Sequence, residues 1–186
     1  MTATLPRTDE PSDLDLVERW KSGDERAATA IVERHAPALA RYASSLGARE
    51  DIEELVQDTF VRAFGAIDSF RGESSLRTWL FTIQRRLVLD RARAYKRKGI
   101  RLPIDEADIV TSGDALGDMV ASETEGRILA AVSRLSPTQR EVFTLRVAEG
   151  LSYREIADVA GTTEGAARVH YHNALRMVKE SINDDE

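Results

Sequence analysis

The residues best placed to do chemistry are cations, and their chemistry is ionic. Between Arg71 and Arg101 stand ten lysines and arginines against two acids, Glu73 and Asp90, about +8 within a chain of net charge −6. The stretch is also patterned. Leu76, Trp79, Leu80, Ile83, Leu87 and Ala94 recur at helical spacing and make one apolar stripe. Arg85, Arg86, Arg93 and Lys96 fall together on the far side of that helix. Ser74 or Ser75 can cap its start. A polar loop, Asp68 to Glu73, carries Phe70 and Arg71 into it. A helix with one packed face and one cationic face suits a polyanion. A solvated surface helix would normally alternate acids with its bases. Trp79 lies on the apolar stripe and reads as a core aromatic.

Covalent chemistry has no comparable foothold. The chain has no cysteine, which excludes disulfides, thiol catalysis and cysteine-ligated zinc. Its three histidines are His35, His170 and His172, and the i, i+2 spacing of the last two points them apart, so no metal site is expected. There is no H-E-x-x-H, no glycine-rich phosphate loop and no nucleophile constellation. No cofactor and no enzymatic activity are expected.

The elements that must position these cations read as helices throughout. Glycine and proline are sparse, β-branched alternation is nearly absent, and the expected fold class is all-α. Residues 1–12 are polar, with Pro6 and Pro11, and read as disordered. A first helix starts over Leu14–Trp20 and breaks at Gly23. Asp24 caps a second helix through Arg34, and apolar spacing resumes after Pro37 until Gly47. The cleanest helix runs from Glu50 to Ile67, with Ile52, Leu55, Val56, Thr59, Phe60, Ala63, Phe64 and Ile67 on one stripe. Glu54, Gln57, Asp58 and Arg62 lie off it. The acids at its start suit a helix N-terminus. Residues 99–122 read as an acidic linker with a short helical turn between Asp114 and Ala121. Glu123–Arg134 is amphipathic, and Ser136-Pro137 starts the next helix. Ser152 and Glu155 form a capping box for a helix through Val159. Gly161 turns the chain, and Thr162 or Thr163 caps a last helix to about Ile182. Helix, glycine turn, helix, with Ile156, Ala157, Val159 and Ala167 able to pack across the turn, is a helix-turn-helix pattern.

The charge is split along the chain. Residues 13–98 carry 16 bases and 14 acids, 103–126 carry seven acids and no base, 127–182 carry eight bases and six acids, and the last four residues add −3. Two mildly basic blocks thus flank an acidic one. Such a protein should bind free DNA weakly, because phosphate neutralisation dominates non-specific affinity. If it works on DNA, something else should hold it there. The N-terminus has neither the basic start nor the apolar core of a signal peptide. No run spans a bilayer. A cytoplasmic protein with no membrane insertion of its own is expected.

With these blocks in place, the chain resembles an extracytoplasmic-function (ECF) sigma factor of bacterial RNA polymerase. EDIEELVQDTFVRAF, residues 50–64, is similar to the family's polymerase-binding helix. FRGESSLRTWLFTIQRRLVLDRAR, residues 70–93, is similar to its promoter-melting segment. LSPTQREVFTLRVAEGLSYREIADVAGTTEGAARVHYHNALR, residues 135–176, is similar to its helix-turn-helix domain. The resemblance implies two small helical domains, a region 2-like unit at 13–98 and a region 4-like unit at 123–182, joined by the acidic linker 99–122. It implies that Glu54, Gln57 and Asp58 contact core polymerase. It implies that Ser69, Phe70, Arg71, Gly72 and Glu73 form the loop that pockets a base flipped from the minus-ten element. Arg85, Arg86, Arg93, Lys96 and Arg97 are the candidate cations for the displaced strand. Arg146, Arg168, Val169 and His172 match positions facing the minus-thirty-five element, where arginine can reach guanine bidentately. The chain departs from the usual pattern at His170 and Asn173, where bases are common, and at Leu76, where phenylalanine is common. Implied partners are core RNA polymerase, promoter DNA and an anti-sigma factor.

Two other readings stand beside it. One is a sigma-like mimic that binds a regulatory protein and never touches DNA. The other is a helix-turn-helix regulator with an N-terminal oligomerisation domain. The second leaves the cationic face after Phe70 without a role.

Overall fold

The structure, a computed structural model, describes residues 10–48, 52–97 and 119–183. It is all-helical there, with no strand among the described residues. The order is α1 (Asp13–Lys21), α2 (Glu25–Ser45), α3 (Ile52–Gly65), a 3₁₀ turn (Ile67–Ser69), α4 (Leu76–Arg97), α5 (Met119–Ser133), α6 (Pro137–Val147), α7 (Tyr153–Ala160) and α8 (Glu164–Asn183).

Caps decide where these helices begin. Ser12 and Asp15 close a reciprocal capping box on α1, and Asp24 accepts the Arg26 N–H at the head of α2. Of the two serines before α4 it is Ser75 that caps, its Oγ accepting the Thr78 N–H at 3.1 Å. Ser136 with Gln139 and Ser152 with Glu155 box the starts of α6 and α7. Thr163, not Thr162, caps α8, accepting the Ala166 N–H at 3.1 Å. Gly161 ends α7 at φ +63°, a left-handed conformation that carries a steric penalty for residues with a Cβ.

The sequence boundaries shift in three places. α2 is one helix through Pro37. The proline has no N–H, so one intrahelical bond is absent. Burial of Ala38, Leu39, Tyr42 and Ala43 just beyond it offsets that loss. α5 begins at Met119, four residues before the expected start. α6 ends at Val147, and Gly150, at φ +70°, belongs to the turn that follows. The start of the expected Glu50 helix and most of the acidic linker, residues 98–118, fall outside the described residues.

α1 to α4 form one helical unit and α5 to α8 another. The second has its own apolar cluster of Ala131, Leu135, Phe143, Ala174 and Val178. The main core, however, is continuous across both units. It joins Leu16, Ile31, Leu39, Tyr42, Phe60 and Phe81 to Val142, Leu145, Ile156 and Val159. α4 lies against α7, and α2 against α6.

Candidate nucleic-acid interface

Three surfaces carry the residues singled out by the sequence. The first is the outer face of α3. Glu54, Gln57 and Asp58 point away from its buried stripe of Leu55, Val56, Thr59, Phe60 and Ala63. Val61, one turn on from Gln57 and Asp58, is 71% exposed and extends this face with an apolar surface. The two acids are not free. Arg91 of α4 reaches across, its Nη2 lying 2.8 Å from Glu54 and 2.6 Å from Asp58. Burial alone would lower the Arg91 guanidinium, but the hydrogen bond it donates to Asp58 and the charge of Glu54 outweigh it and hold it above its ordinary value. The sequence named the acids and missed this arginine, because a helix stripe does not say which neighbour its polar face meets.

The second surface is the loop before α4. Residues 69–74 together with Trp79 line an open cleft of about 300 Å³. Phe70 is buried and packs on Trp79 with ring centroids 5.3 Å apart. This pair forms the apolar wall. Arg71, Gly72 and Glu73 are exposed on the rim. Gly72 adopts φ +71°, so the loop turns sharply at its rim. Trp79 is therefore both a packed aromatic and part of the cleft.

The cations of α4 divide. Arg86 and Arg97 are exposed, and Arg93 is exposed beside Asp90 at 3.2 Å. The side chain of Lys96 lies outside the described residues. Arg85 is elsewhere: its Nε lies 2.7 Å from Glu141 of α6. The reason is a second packed face of α4, opposite in part to the expected stripe, where Phe81 and Gln84 are wholly buried. Phe81 meets Tyr42 edge-on at 4.9 Å. Arg85 follows Phe81 by one turn and so faces the second unit. Burial would lower the Arg85 guanidinium, but the Glu141 carboxylate raises it overall. Burial, reinforced by Glu141, pushes the Tyr42 hydroxyl well above its ordinary value, and that hydroxyl donates to Glu141 at 2.7 Å.

The third surface is the helix-turn-helix, α7 and α8. Arg168, Val169 and His172 lie on the exposed face of α8. Arg168 stays within reach of Glu164 at 3.0 Å and sits over the Tyr153 ring at 5.1 Å. Arg146 is committed inward. Its Nη1 donates to the Leu151 carbonyl at 2.7 Å, and its guanidinium lies 4.9 Å from the Tyr153 centroid. It braces the turn into α7. His35 is buried against Asp13 at 3.1 Å, far from His170 and His172 in the chain. No cluster of metal-ligating side chains occurs among the described residues.

A cationic helix entered through a small cleft, followed by a helix-turn-helix, suits a protein that handles DNA at two places. Comparison with known families agrees. The model of Sigma-70 region 2 matches residues 31–98, and that of Sigma-70 region 4 matches residues 125–178. The ECF RNA polymerase sigma-E factor of Haemophilus influenzae is 32% identical, covering 92% of this chain and 95% of that protein. The sigma-E factor of Escherichia coli K12 is 30% identical over 92% and 94%. The solved structure of CnrH, in complex with the cytosolic domain of CnrY, is 30% identical at a TM-score of 0.66, covering 95% and 100% of the two chains. RpoE from Bartonella quintana, solved with the anti-sigma factor NepR, is 29% identical at 0.67, covering 85% and 98%. The chain belongs to the ECF sigma factor family.

Proposed function

We propose that this chain is a promoter-specificity subunit that binds core RNA polymerase and recognises and melts promoter DNA, and that it is held in check by an anti-sigma factor. The observation that carries this is the order of the three surfaces along one chain, the first and third on helices whose opposite side is packed and the second on the loop that leads into α4. In this reading α1–α4 is the polymerase-binding and minus-ten unit, approximately 13–98, and α5–α8 the minus-thirty-five unit, approximately 123–182. Glu54, Gln57 and Asp58 face polymerase, where exposed carboxylates can engage basic side chains. The cleft of residues 69–74 takes an unstacked base against the Phe70–Trp79 wall. Arg86, Arg93 and Arg97 accompany the displaced strand. Arg168, Val169 and His172 enter the major groove, with Arg146 shaping the helix that carries them.

No helix among the described residues is long and apolar enough to cross a membrane. Work beside RNA polymerase in the cytoplasm follows from the reading, as does a role as a subunit rather than an enzyme. Transcription from a random promoter library with core polymerase plus this protein tests it. The expected result is initiation confined to promoters sharing two motifs at fixed spacing. Specific duplex binding by the free protein without any effect on polymerase would instead favour a helix-turn-helix regulator.

A further inference from the structure

Tyr153 opens α7, directly after the Ser152–Glu155 capping box that fixes its backbone. Two guanidiniums lie over its ring, Arg146 of α6 at 4.9 Å from the centroid and Arg168 of α8 at 5.1 Å. Tyr171 of α8 meets the same ring at 6.0 Å, tilted by 60°. One side chain thus touches α6, α7 and α8 at their polar edge. It is not needed to close the turn, since Ile156, Val159 and Ala167 already bury themselves there. The two arginines also differ. Arg146 is anchored, its Nη1 donating to the Leu151 carbonyl at 2.7 Å. The Arg168 side chain is 56% exposed and donates from Nη2 to Glu164 at 3.0 Å.

We propose that Tyr153 is a positioning residue that sets base specificity: its ring holds Arg168 in one direction, and Arg146 holds the ring. The inference rests on the reading of α8 as the base-reading helix and goes further into that same site. Bidentate contact with a guanine edge demands one orientation of a planar fork. An arginine on a helix surface has many rotamers, and confining them beforehand lowers the cost of binding. Glu164 engages one nitrogen and leaves the plane of the fork undefined. A ring beneath the guanidinium restricts that plane, while the N–H donors, which lie in the plane, stay directed outward. Arg176 shows the contrast on the same helix. It has an acid, Glu180, within 4.0 Å and is 69% exposed, but no ring underlies it among the described residues. Precision matters more in this chain because Arg168 is the only lysine or arginine between residues 164 and 175. His170 and Asn173 stand where further bases are common.

The first measurement needs no DNA. In the full chain, the Arg168 Nε–H should be more ordered by side-chain NMR relaxation than that of Arg176, and shifted by the ring current of Tyr153. Tyr153→Phe should keep both features and Tyr153→Leu should lose both. An Arg168 as mobile as Arg176 in the unaltered chain overturns the proposal, even if Tyr153→Leu fails to fold. The second measurement is upstream base preference, read by sequencing transcripts from a randomised promoter library with core polymerase and by selection of random duplexes with the chain alone. Tyr153→Leu should lower preference about two- to five-fold at the base pair that Arg168→Ala affects, and at no other. Tyr153→Phe should restore it. In an Arg168→Ala background Tyr153→Leu should change nothing further, which a merely structural role would not give. Preference in the unaltered chain that Tyr153→Leu leaves intact, or loses at every position alike, overturns the proposal and spares the reading of α8. No upstream preference in the unaltered chain in either setting overturns both.

Discussion

The outer face of α3 offers the sharpest separation between binding and folding. Consider Gln57→Ala combined with Asp58→Asn. Gln57 is exposed, and surface substitutions away from special features usually stay within about 0.5 kcal/mol. Asp58 gives up its ion pair with Arg91, but the Asp58 side chain is 46% exposed and Arg91 keeps Glu54 at 2.8 Å. A solvated pair of this kind contributes about 0–1 kcal/mol. The double variant should therefore lose no more than about 1.5 kcal/mol. For a protein of this size that lowers Tm by about 3–6 °C, which leaves it folded at 25 °C.

Binding should respond more strongly. Arg91 occupies only Oδ2 of Asp58, so Oδ1 is open to a basic partner side chain. A hydrogen bond to a charged group contributes about 1.5–3 kcal/mol, so losing it should weaken core polymerase binding roughly ten- to hundred-fold. Fluorescence anisotropy of the labelled protein against core polymerase reads this, beside urea denaturation of each variant. Arg91→Ala is the control. It loses both pairs and up to about 2 kcal/mol of stability yet leaves the carboxylates in place, so polymerase affinity should hold. The reasoning is refuted if Gln57→Ala, Asp58→Asn binds polymerase normally, or if Arg91→Ala weakens binding as much as the double variant does.

Arg168→Ala should relax base preference at one or two upstream base pairs, by about 1–3 kcal/mol of discrimination, and leave opening of a pre-melted template intact. Transcription from a matrix of upstream substitutions reads it, and equal loss on every promoter would count against the assignment. Arg86→Ala with Arg93→Ala should shorten open-complex lifetimes on all promoters and flatten their salt dependence, because phosphate contacts release counterions without reading sequence. Stability should fall in acid. The carboxyl of Asp13 is held below its ordinary value, chiefly by His35 and then by Arg34. Burial would raise Glu155, but its Ser152 and Thr78 hydrogen bonds lower it overall. Their stabilisation is complete above the unfolded carboxylate values and is lost as pH falls through the folded ones, below about pH 4. Asp13→Asn should shrink that acid loss in a urea series from pH 7 to 3.

The legible parts of this fold were those governed by local chemistry. Ser152 with Glu155, Gly161 and Ser136 with Pro137 each set a helix boundary through atoms no more than a few residues apart, and all three stand where expected. The stripe Leu55, Val56, Thr59, Phe60 and Ala63 is buried as its period required. Boundaries were missed where tertiary burial overrode a local signal, as at Pro37, inside a helix that buries Ala38, Leu39, Tyr42 and Ala43 just beyond it. The site divides in the same way. Arg86 and Arg93 are exposed, as their periodicity implied, and Arg168, named by resemblance, is exposed on α8. Arg85 shares their helical face on a wheel but meets Glu141, because α4 packs on two sides and not one. Glu141, Glu149, Arg77 and Arg91 had no sequence signal, since each acts through a partner 33 to 108 residues away.

That division bears on the low DNA affinity expected of the free chain. Net charge of −6 gives a weak long-range repulsion, which salt at physiological strength screens within about 8 Å. It cannot by itself silence a helix carrying a local excess of about +8 between residues 71 and 101. Pairing at short range does so more effectively. Arg77 and Arg85 are neutralised by the second unit, and Arg91 by α3. Three of the cations in that stretch are therefore withdrawn from phosphate by partners within the chain, and Arg93 shares its charge with Asp90. If the second unit moves away, Arg77 and Arg85 return to the surface together, while Arg91 stays with α3. DNA affinity followed against salt for the unaltered chain and for Glu141→Gln, Glu149→Gln would separate local pairing from net charge.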